Sequence, residues 1–362
     1  MLAWFFCVCY VVTMKTVTKL SIRDIAQLSG CSLATVSRVL NHPERVKTVT
    51  RERVERIMAE YDYVPNSAAR ELSMKASNEI AVIVPDLENP FFHGLIQGIT
   101  QVADRNDYQI LIFNTEEDPK KEERILDTLR GKNIAGILVT SADAEGKAGG
   151  RKLLEYNEKD IPVVLMDRNI KGGEKLSSVM ADNEQGAYEA IAELIARGHR
   201  RIGIIAGTKI YSPVHERELG YRRAMKEFGL EINEDYVVYG DQMAERSYAC
   251  MATLMERKDA PTAVFTCNNM MTLGALRYCV KKGIVVGRDI SLIGFDDIEI
   301  LGQMGVNLSV VDRSAINMGK IGTEILLRRL DREKEQHEHV VVPTRLILRG
   351  TERFPTDLGM EA

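Results

Sequence analysis

The first part of the chain repeats apolar residues at the spacing of an α-helix, with one interruption. Within residues 21–41 this spacing holds on both sides of a short turn centred on Gly30, and glycine most easily adopts a positive φ. Ser21 and Ser32 stand directly before the two helical segments, where serine serves as an N-cap. Two short helices joined by a tight turn predict a helix-turn-helix, whose second helix is free to enter a DNA major groove.

A third helical segment follows, and the pattern then breaks. Residues 50–61 place apolar side chains at helical spacing, with Thr50 as the expected N-cap. Pro65 interrupts the chain just beyond this segment. Residues 66–74 form a short helical pattern of small residues, and a polar linker continues to residue 78. Because so short a helix is marginal in water, we expect it to form only when it is packed or bound.

From Glu79 onward, short apolar runs alternate with amphipathic helical patterns. The runs are continuous, which is typical of parallel strands buried on both faces. This repetition predicts a doubly wound α/β fold, and a length of about 280 residues suits two such lobes. The predicted strands are Ile80–Val84, Ile110–Phe113, Ile134–Val139, Val163–Met166, Ile202–Ile205, Val237–Tyr239, Ala263–Thr266 and Ser291–Ile293.

Composition and charge divide the chain in the same place. With 362 residues, two or three domains are expected, and 45% hydrophobic and 28% charged residues are typical of a globular protein. The net charge is −4, but residues 1–76 carry 11 Lys and Arg against 7 Asp and Glu, a net of +4. The remainder therefore carries −8. A basic head on an acidic body is expected when a DNA-binding module is joined to a domain with another task.

The cysteines and the N-terminus favour a cytoplasmic protein. The six cysteines show no C-x-x-C pair and no histidine at zinc spacing, so we interpret them as reduced thiols and predict no metal and no cofactor. The apolar start is too short to span a bilayer and lacks the basic region of a signal peptide. We expect residues 1–19 to be an unstructured extension, with the functional start near Met14, and we predict no membrane association.

The outward face of the second predicted helix carries small hydrogen-bonding side chains and one arginine, which suit base edges and phosphates. An ordinary corner between two helices in an all-helical domain is the alternative interpretation. The predicted DNA-binding residues of this helix are Ser32, Leu33, Ala34, Thr35, Ser37, Arg38 and Asn41.

The segment ATVSRVLN (residues 34–41) resembles the recognition helix of the lactose-repressor/galactose-repressor (LacI/GalR) family of bacterial regulators. The resemblance covers about Leu20 to Thr351. It implies an all-α helix-turn-helix head and an α/β body of two doubly wound lobes, like a periplasmic binding protein. The expected domains are an extension (1–19), a DNA-binding domain (20–65), a hinge helix and linker (66–78) and an effector-binding and dimerisation domain (79–356), with lobe one at about 79–179 and 311–340 and lobe two at 180–310 and 341–356.

The resemblance also gives the short helix a role. In the family, the matching segment is a hinge helix that folds on the operator and enters the minor groove. Leu72 matches the leucine that inserts between the central base pairs, and Ala69 matches the small residue beside it. Such an apolar wedge bends DNA by unstacking a base step. Asn66, at the start of the segment, completes the predicted hinge contacts.

Ligands of open α/β sheets bind beyond the carboxyl ends of the strands, so residues that follow predicted strands are candidate ligand contacts. Arginines, carboxylates and aromatic rings converging on one cleft suit a polyhydroxylated ligand. Each candidate is alternatively an ordinary residue at a strand end, and Asp167 or Asp297 alternatively caps a helix. The candidates are Asp86, Phe91, Phe92, Arg168, Arg217, Asn268 and Asp296.

The resemblance supports several of these positions. Phe91 or Phe92 corresponds to the family's stacking loop. Arg217, within R-E-L-G, matches the arginine of the R-x-x-G motif that contacts the effector, and Asp296, within G-F-D-D, matches another effector contact.

The sequence departs from the family pattern at two effector positions. Asn268 stands where many members carry an effector-binding aspartate, and Asp312 stands where glutamine is frequent. Because Asn268 removes a negative charge while Arg168 and Arg217 supply positive ones, the set favours an anionic ligand such as a sugar acid or sugar phosphate. The alternative is that Arg217 and Asp296 pair with each other across an empty or neutral-sugar site.

The sequence thus predicts a DNA-binding transcription regulator, a repressor rather than an activator, that is controlled by a sugar, sugar acid or sugar phosphate. A homodimer would place two heads on a pseudo-palindromic operator. An exported sugar-binding protein is one alternative, but it leaves residues 21–72 unexplained. The other is an enzyme on a doubly wound fold, but the sequence shows no nucleophile elbow, P-loop, dinucleotide fingerprint or metal-ligand spacing.

Overall fold

The computed structural model describes residues 20–41, 43–63, 77–241, 243–331 and 336–354. The predicted extension (1–19) and the predicted hinge contacts Asn66, Ala69 and Leu72 lie outside these ranges, as does the side chain of Asn41. The chain divides after Ala76 into two units, which we call the head and the body.

The head contains the predicted helix-turn-helix followed by a third helix: α1 (Ile22–Ser29), α2 (Leu33–Asn41) and α3 (Thr48–Glu60). Their packed centre contains one fully buried residue from each helix, namely Ile25, Val36 and Val54.

Local signals set both ends of α1. The Asp24 carboxylate accepts the Ser21 backbone N–H at 2.7 Å, and the Ser21 hydroxyl accepts the Asp24 N–H, which completes a capping box. Gly30 ends the helix in the left-handed region with φ of +64°. The predicted cap and turn of the first helix are therefore confirmed.

The third helix begins earlier than predicted. Lys47 occupies its N-cap without a side-chain hydrogen bond, and the Thr50 N–H donates to the Lys47 carbonyl at 2.9 Å. Thr50 therefore lies inside the first turn, and its prediction as the cap was wrong. A hydroxyl side chain marks a possible N-cap but does not fix where a helix begins. Here the helix begins soon after the 3₁₀ turn Pro43–Arg45.

Within the described residues the body contains two six-stranded sheets. Its strands are β1 (Glu79–Val84), β2 (Gln109–Asn114), β3 (Gly136–Val139), β4 (Val163–Met166), β5 (Ser177–Ala181), β6 (Ile202–Ala206), β7 (Val237–Tyr239), β8 (Ala263–Thr266), β9 (Ser291–Phe295), β10 (Ser309–Asp312), β11 (His339–Val342) and β12 (Arg345–Ile347). The first sheet, of lobe one, has the order β11-β5-β4-β3-β1-β2 and is entirely parallel. The second, of lobe two, has the order β12-β10-β9-β8-β6-β7 and is parallel except for β12.

Helices connect the strands and bury the sheets. They are α4 (Pro90–Arg105), α5 (Pro119–Arg130), α6 (Ala148–Glu158), α7 (Asn183–Ala196), α8 (Ser212–Glu227), α9 (Ala244–Met255), α10 (Asn269–Lys282), α11 (Glu299–Gln303) and α12 (Ala315–Leu330). The inner strands of both sheets consist almost entirely of residues with essentially no exposed surface, as continuous apolar runs require, whereas the edge strands β2, β7, β11 and β12 carry exposed positions.

The eight predicted strands are all present, and four further strands were not predicted, namely β5, β10, β11 and β12. The chain passes between the lobes after β5, after β10 and between β11 and β12. The predicted lobe boundaries at 179, 310 and 340 fall inside these strands rather than after them. The four strands that were not predicted are the ones next to the points where the chain passes between lobes. Apolar runs alone therefore did not locate the ends of each lobe.

Candidate functional site

The outward face of α2 presents the predicted DNA-reading side chains. Ser32, Leu33, Ala34 and Arg38 are exposed, with Leu33 46% exposed despite its apolar side chain. Thr35 is half-buried and lies 2.8 Å from Ser32, oxygen to oxygen.

The opposite face of α2 packs into the core of the head. Val36 and Val39 are buried there, and Ser37 is half-buried. An exposed leucine and an exposed arginine, on a helix whose other face is fixed, give a rigid surface for base edges and phosphates.

In the body, one buried arginine lies where the two lobes meet. Arg313 follows β10 directly and is 4% exposed. Its Nε donates to Asp296 Oδ1 at 2.7 Å, its Nη2 to Asp296 Oδ2 at 3.2 Å, and its Nη1 to Asp167 Oδ1. The guanidinium carbon also stacks 3.6 Å from the centre of the Phe91 ring. One cation therefore holds a carboxylate of each lobe.

The two aspartates occupy equivalent places in the two lobes. Asp167 follows β4 and Asp296 follows β9, each the third strand of its sheet. Both adopt the left-handed region, with φ of +66° and +72°. Each N–H bonds to the next strand, to the carbonyl of Val179 at 2.9 Å and of Val311 at 2.8 Å. Uncommon backbone of this kind persists only where the surroundings enforce it, and it clusters at functional sites.

Arg217 lies on α8, which begins at Ser212, and not directly at the end of a strand. Its Nε and Nη2 donate to Asn183 Oδ1 at 3.0 and 2.8 Å, and its Nη1 donates to the Cys267 carbonyl. The guanidinium stacks 3.6 Å from the centre of the Phe295 ring.

Burial, followed by repulsion from Arg313, lowers the pKa of Arg217 to about 10, so it remains charged at neutral pH. The alternative pairing of Arg217 with Asp296 is not formed, because Arg313 takes that carboxylate.

Arg168 is also bound internally. Its two terminal nitrogens donate to the two Glu117 carboxylate oxygens, both at 2.7 Å, and its guanidinium stacks 3.9 Å from the centre of the Tyr211 ring. Tyr211 comes from lobe two and donates its hydroxyl to the Ala142 carbonyl of lobe one at 3.4 Å. Burial raises the pKa of Tyr211 to about 12, so the phenol stays protonated.

Asn268 serves the fold as the N-cap of α10. Its Oδ1 accepts the Met271 N–H at 2.7 Å. The neighbouring Asn269, which the sequence analysis did not select, donates its amide to Asn89 Oδ1 of lobe one at 2.9 Å. The cap residue and the residue that reaches across the lobes are thus adjacent in sequence.

The three other predicted positions differ in setting. Phe92 is 3% exposed and lies in the core of lobe one, edge-on to Phe91 at 5.1 Å between ring centres. Asp86 is half-buried and accepts a backbone N–H two residues on at 2.8 Å. Asp312 is half-buried, and burial raises its pKa.

The structure thus brings Phe91, Arg217 and Asp296 around Arg313, with Arg168 in a neighbouring pair. Sequence reasoning missed Arg313, Asn183 and Tyr211. A strand assignment for SVVD (residues 309–312) would have placed Arg313 at a carboxyl end, but this run was not recognised. Among the described residues, no group of three or more acidic, histidine or cysteine side chains is arranged to hold a metal ion, and no helix is long and apolar enough to cross a bilayer.

Two family profiles match this chain. The family described as "Periplasmic binding proteins and sugar binding domain of LacI family" matches residues 77–349. The family described as "Bacterial regulatory proteins, lacI family" matches residues 21–66.

Individual proteins match over nearly their whole length. Catabolite control protein A of Priestia megaterium is 31% identical over 331 residues, which cover 91% of this chain and 98% of that protein. The HTH-type transcriptional repressor PurR of Haemophilus influenzae (strain PittEE) is 33% identical over 333 residues, covering 91% and 97%. The solved complex of the transcriptional regulator CelR with cellobiose is 28% identical with a TM-score of 0.69, covering 92% and 99%.

Proposed function

This chain belongs to the LacI family of bacterial regulatory proteins, and we propose that its head reads operator DNA through α2 while its body holds a small effector between the lobes. It is a DNA-binding transcriptional regulator with an effector-binding domain. Because PurR is named as a repressor and CelR as a transcriptional regulator, we assign this chain repression rather than activation and no enzymatic reaction. A protein that binds operator DNA works where the DNA is, which supports a cytoplasmic location.

The observation that carries the DNA-binding proposal is the division of α2 into two faces. Val36 and Val39 fix the helix in the head's core, and Leu33, Ala34 and Arg38 remain exposed. We assign direct base contacts to these three residues and supporting contacts to Ser32, Thr35, Ser37 and Asn41. The hinge contacts of Asn66, Ala69 and Leu72 in the minor groove stay a prediction from the family resemblance.

The base-reading role of Arg38 is testable with the full chain. Selection from random duplex DNA gives the preferred operator, and binding is then measured on operators substituted at one base pair at a time. We expect Arg38→Ala to cost about 1–3 kcal/mol, concentrated at one base pair, because the lost contact reads one base edge.

Arg53 of α3, exposed and equally charged, provides the matched control. Arg53→Ala removes the same charge, so any loss should be uniform across operator variants. An equally uniform loss with Arg38→Ala would show that Arg38 contacts only phosphate, and the assignment would fall.

For the effector, we propose a sugar or sugar derivative. One support is the composition of the interlobe region, in which arginines, aspartates and aromatic rings lie at the carboxyl ends of both sheets. Another is the relative solved with cellobiose. Asp86, Phe91, Arg217, Asn268, Asp296 and Asp312 remain the proposed contacts. The proposed anion-binding fork of Arg168 and Arg217 has less support, because protein oxygens already bind both guanidinium groups.

A further inference from the structure

A buried arginine lies at a crossing between the lobes and was not assigned a role from the sequence. Arg313 lies between β10, in the sheet of lobe two, and α12, which packs on the sheet of lobe one. Its two bonds to Asp296 link it to the strand-end residue of lobe two, whereas its bond to Asp167 reaches lobe one. The Asp167 bond is therefore the one that separation of the lobes would break.

Other polar contacts hold the lobes together around this bridge. Asn269 of lobe two donates to Asn89 of lobe one at 2.9 Å. The Ser212 hydroxyl of lobe two accepts the Asn169 N–H of lobe one at 3.1 Å. The lobes thus meet through side chains of the kind that a polar ligand uses.

The charges near Arg313 fit the exchange of one anion for another. Arg217 and Arg313 both approach the Phe295 ring, with guanidinium carbons 3.6 and 5.8 Å from its centre. Glu216 lies nearby and binds Asn183 at 2.8 Å. A paired anion stabilises a buried guanidinium, and the planar fork of the guanidinium matches a carboxylate or phosphate. If Asp167 leaves Nη1, another oxyanion is the best replacement.

We propose that, when no ligand is bound, Asp167 occupies the position on Arg313 to which the anionic group of the effector binds. A carboxylate or phosphate of the ligand displaces Asp167 from Nη1, while Asp296 continues to orient the guanidinium through Nε and Nη2. This inference rests on the proposed function, since it assigns the chemical class of the effector in the same cleft. Without ligand, the Asp167–Arg313 bridge joins the lobes and competes with binding.

Calorimetric titration of the full chain tests the exchange, with four probes: glucose, glucuronate, glucose 6-phosphate and inorganic phosphate. Asp167→Asn removes the competing charge and nearly preserves the side-chain shape. We expect this variant to bind at least one anionic probe at least ten-fold more tightly than the unsubstituted chain does, with no change for glucose. The comparison of glucuronate with the two phosphates separates a carboxylate ligand from a phosphate ligand.

Glu117→Gln is the matched control, because it releases Arg168 from an internal carboxylate within lobe one. It should leave the affinity for the anions unchanged. Tightening by Glu117→Gln, or no tightening by Asp167→Asn for any anion, overturns the proposal. If glucose alone binds, with equal affinity in all variants, the anionic class is wrong while effector binding in the cleft stands.

Arg313→Lys keeps the positive charge and loses the fork, so it should weaken anion binding at least ten-fold. Thermal unfolding of each variant shows that it is folded. Should Asp167→Asn not fold, Arg313→Lys decides the question, and an unchanged anion affinity in it overturns the proposal.

Discussion

At the scale of single residues, the body buries a carboxylate that is held by neutral hydrogen-bond donors. Glu122 has no exposed surface, and its oxygens accept hydrogen bonds from the Ser141 hydroxyl at 2.7 Å and the Ala142 N–H at 2.6 Å. Burial raises its pKa to about 7 although both hydrogen bonds, and the charge of Arg168, favour the ionised form. The nearby Asp143 raises it further. Glu122 therefore couples the stability of lobe one to pH.

The expected pH dependence follows from the direction of this shift. The folded protein holds the Glu122 proton up to about pH 7, whereas an unfolded chain releases it near the ordinary value of 4.5. The contribution of Glu122 to the free energy of unfolding is therefore complete below about pH 4.5 and is lost as pH rises to 7. The loss is about 3 kcal/mol at most. Glu122→Gln should remove this slope, as measured by the free energy of unfolding in urea between pH 5 and 7.5.

The neighbouring Glu123 is partly exposed and bonds to Lys152 at 2.9 Å, so Glu123→Gln is the control and should keep the slope of the unsubstituted chain. Parallel pH profiles for Glu122→Gln and the unsubstituted chain would contradict this account.

At the scale of elements, glycines allow pairs of helices to pack backbone against backbone. A Cβ on Gly319 of α12 would overlap the Leu95 carbonyl of α4. Gly220 of α8 faces α7 in the same way, and Gly274 of α10 faces α9. In each pair the obstacle is main chain, which cannot move aside as a flexible side chain does. The absence of a side chain thus sets the separation of three helix pairs.

We expect Gly319→Ala to lower the free energy of unfolding by about 1–3 kcal/mol, because the added methyl group forces α12 away from α4. Urea unfolding of the full chain measures the loss. A Cβ on Gly302 of α11 would meet no other packed group of the described chain within 4 Å, so Gly302→Ala should be neutral or stabilise by up to about 1 kcal/mol. Equal effects of the two substitutions would exclude close backbone packing as the cause.

At the scale of the whole molecule, DNA binding is assigned to the basic head and ligand binding to the acidic body. Lobe two also exposes large apolar side chains, with Val280 of α10 80% exposed and Met304, directly after α11, 72% exposed. Large exposed apolar patches mark contacts with other proteins, and we take these two side chains as candidates for such a contact. A two-fold dimer that buries both side chains would present two heads to a pseudo-palindromic operator.

We therefore expect the double variant Val280→Glu/Met304→Glu to shift the chain from dimer to monomer and to weaken operator binding, because a dimer would bury two apolar positions that now carry charge. Sedimentation equilibrium measures the mass. Phe228 is 48% exposed at the end of α8, and Phe228→Glu should leave the mass unchanged. A dimeric double variant would place the interface elsewhere.

The sequence alone determined the features that local chemistry controls. Ser21 and Gly30 mark the ends of α1 because caps and left-handed turns depend on neighbouring backbone groups. Continuous apolar runs identified eight strands, because six of the eight are inner strands whose burial on both faces leaves no polar alternation. The R-x-x-G and G-F-D-D motifs identified Arg217 and Asp296 as candidate contacts. The helix that carries Arg217 was not predicted.

Only the tertiary structure decided how these parts meet. Arg313 bonds to Asp296, 17 residues away, and to Asp167, 146 residues away, and no local pattern relates the three. Their proximity follows from sheet order, which places β4 and β9 in equivalent positions and the end of β10 at the crossing between them. The same long-range packing removes Glu122 from water. The hydrogen-bond partners and the burial of a site residue depend on distant chain segments. Its charge state and its availability to a ligand therefore follow only from the folded structure.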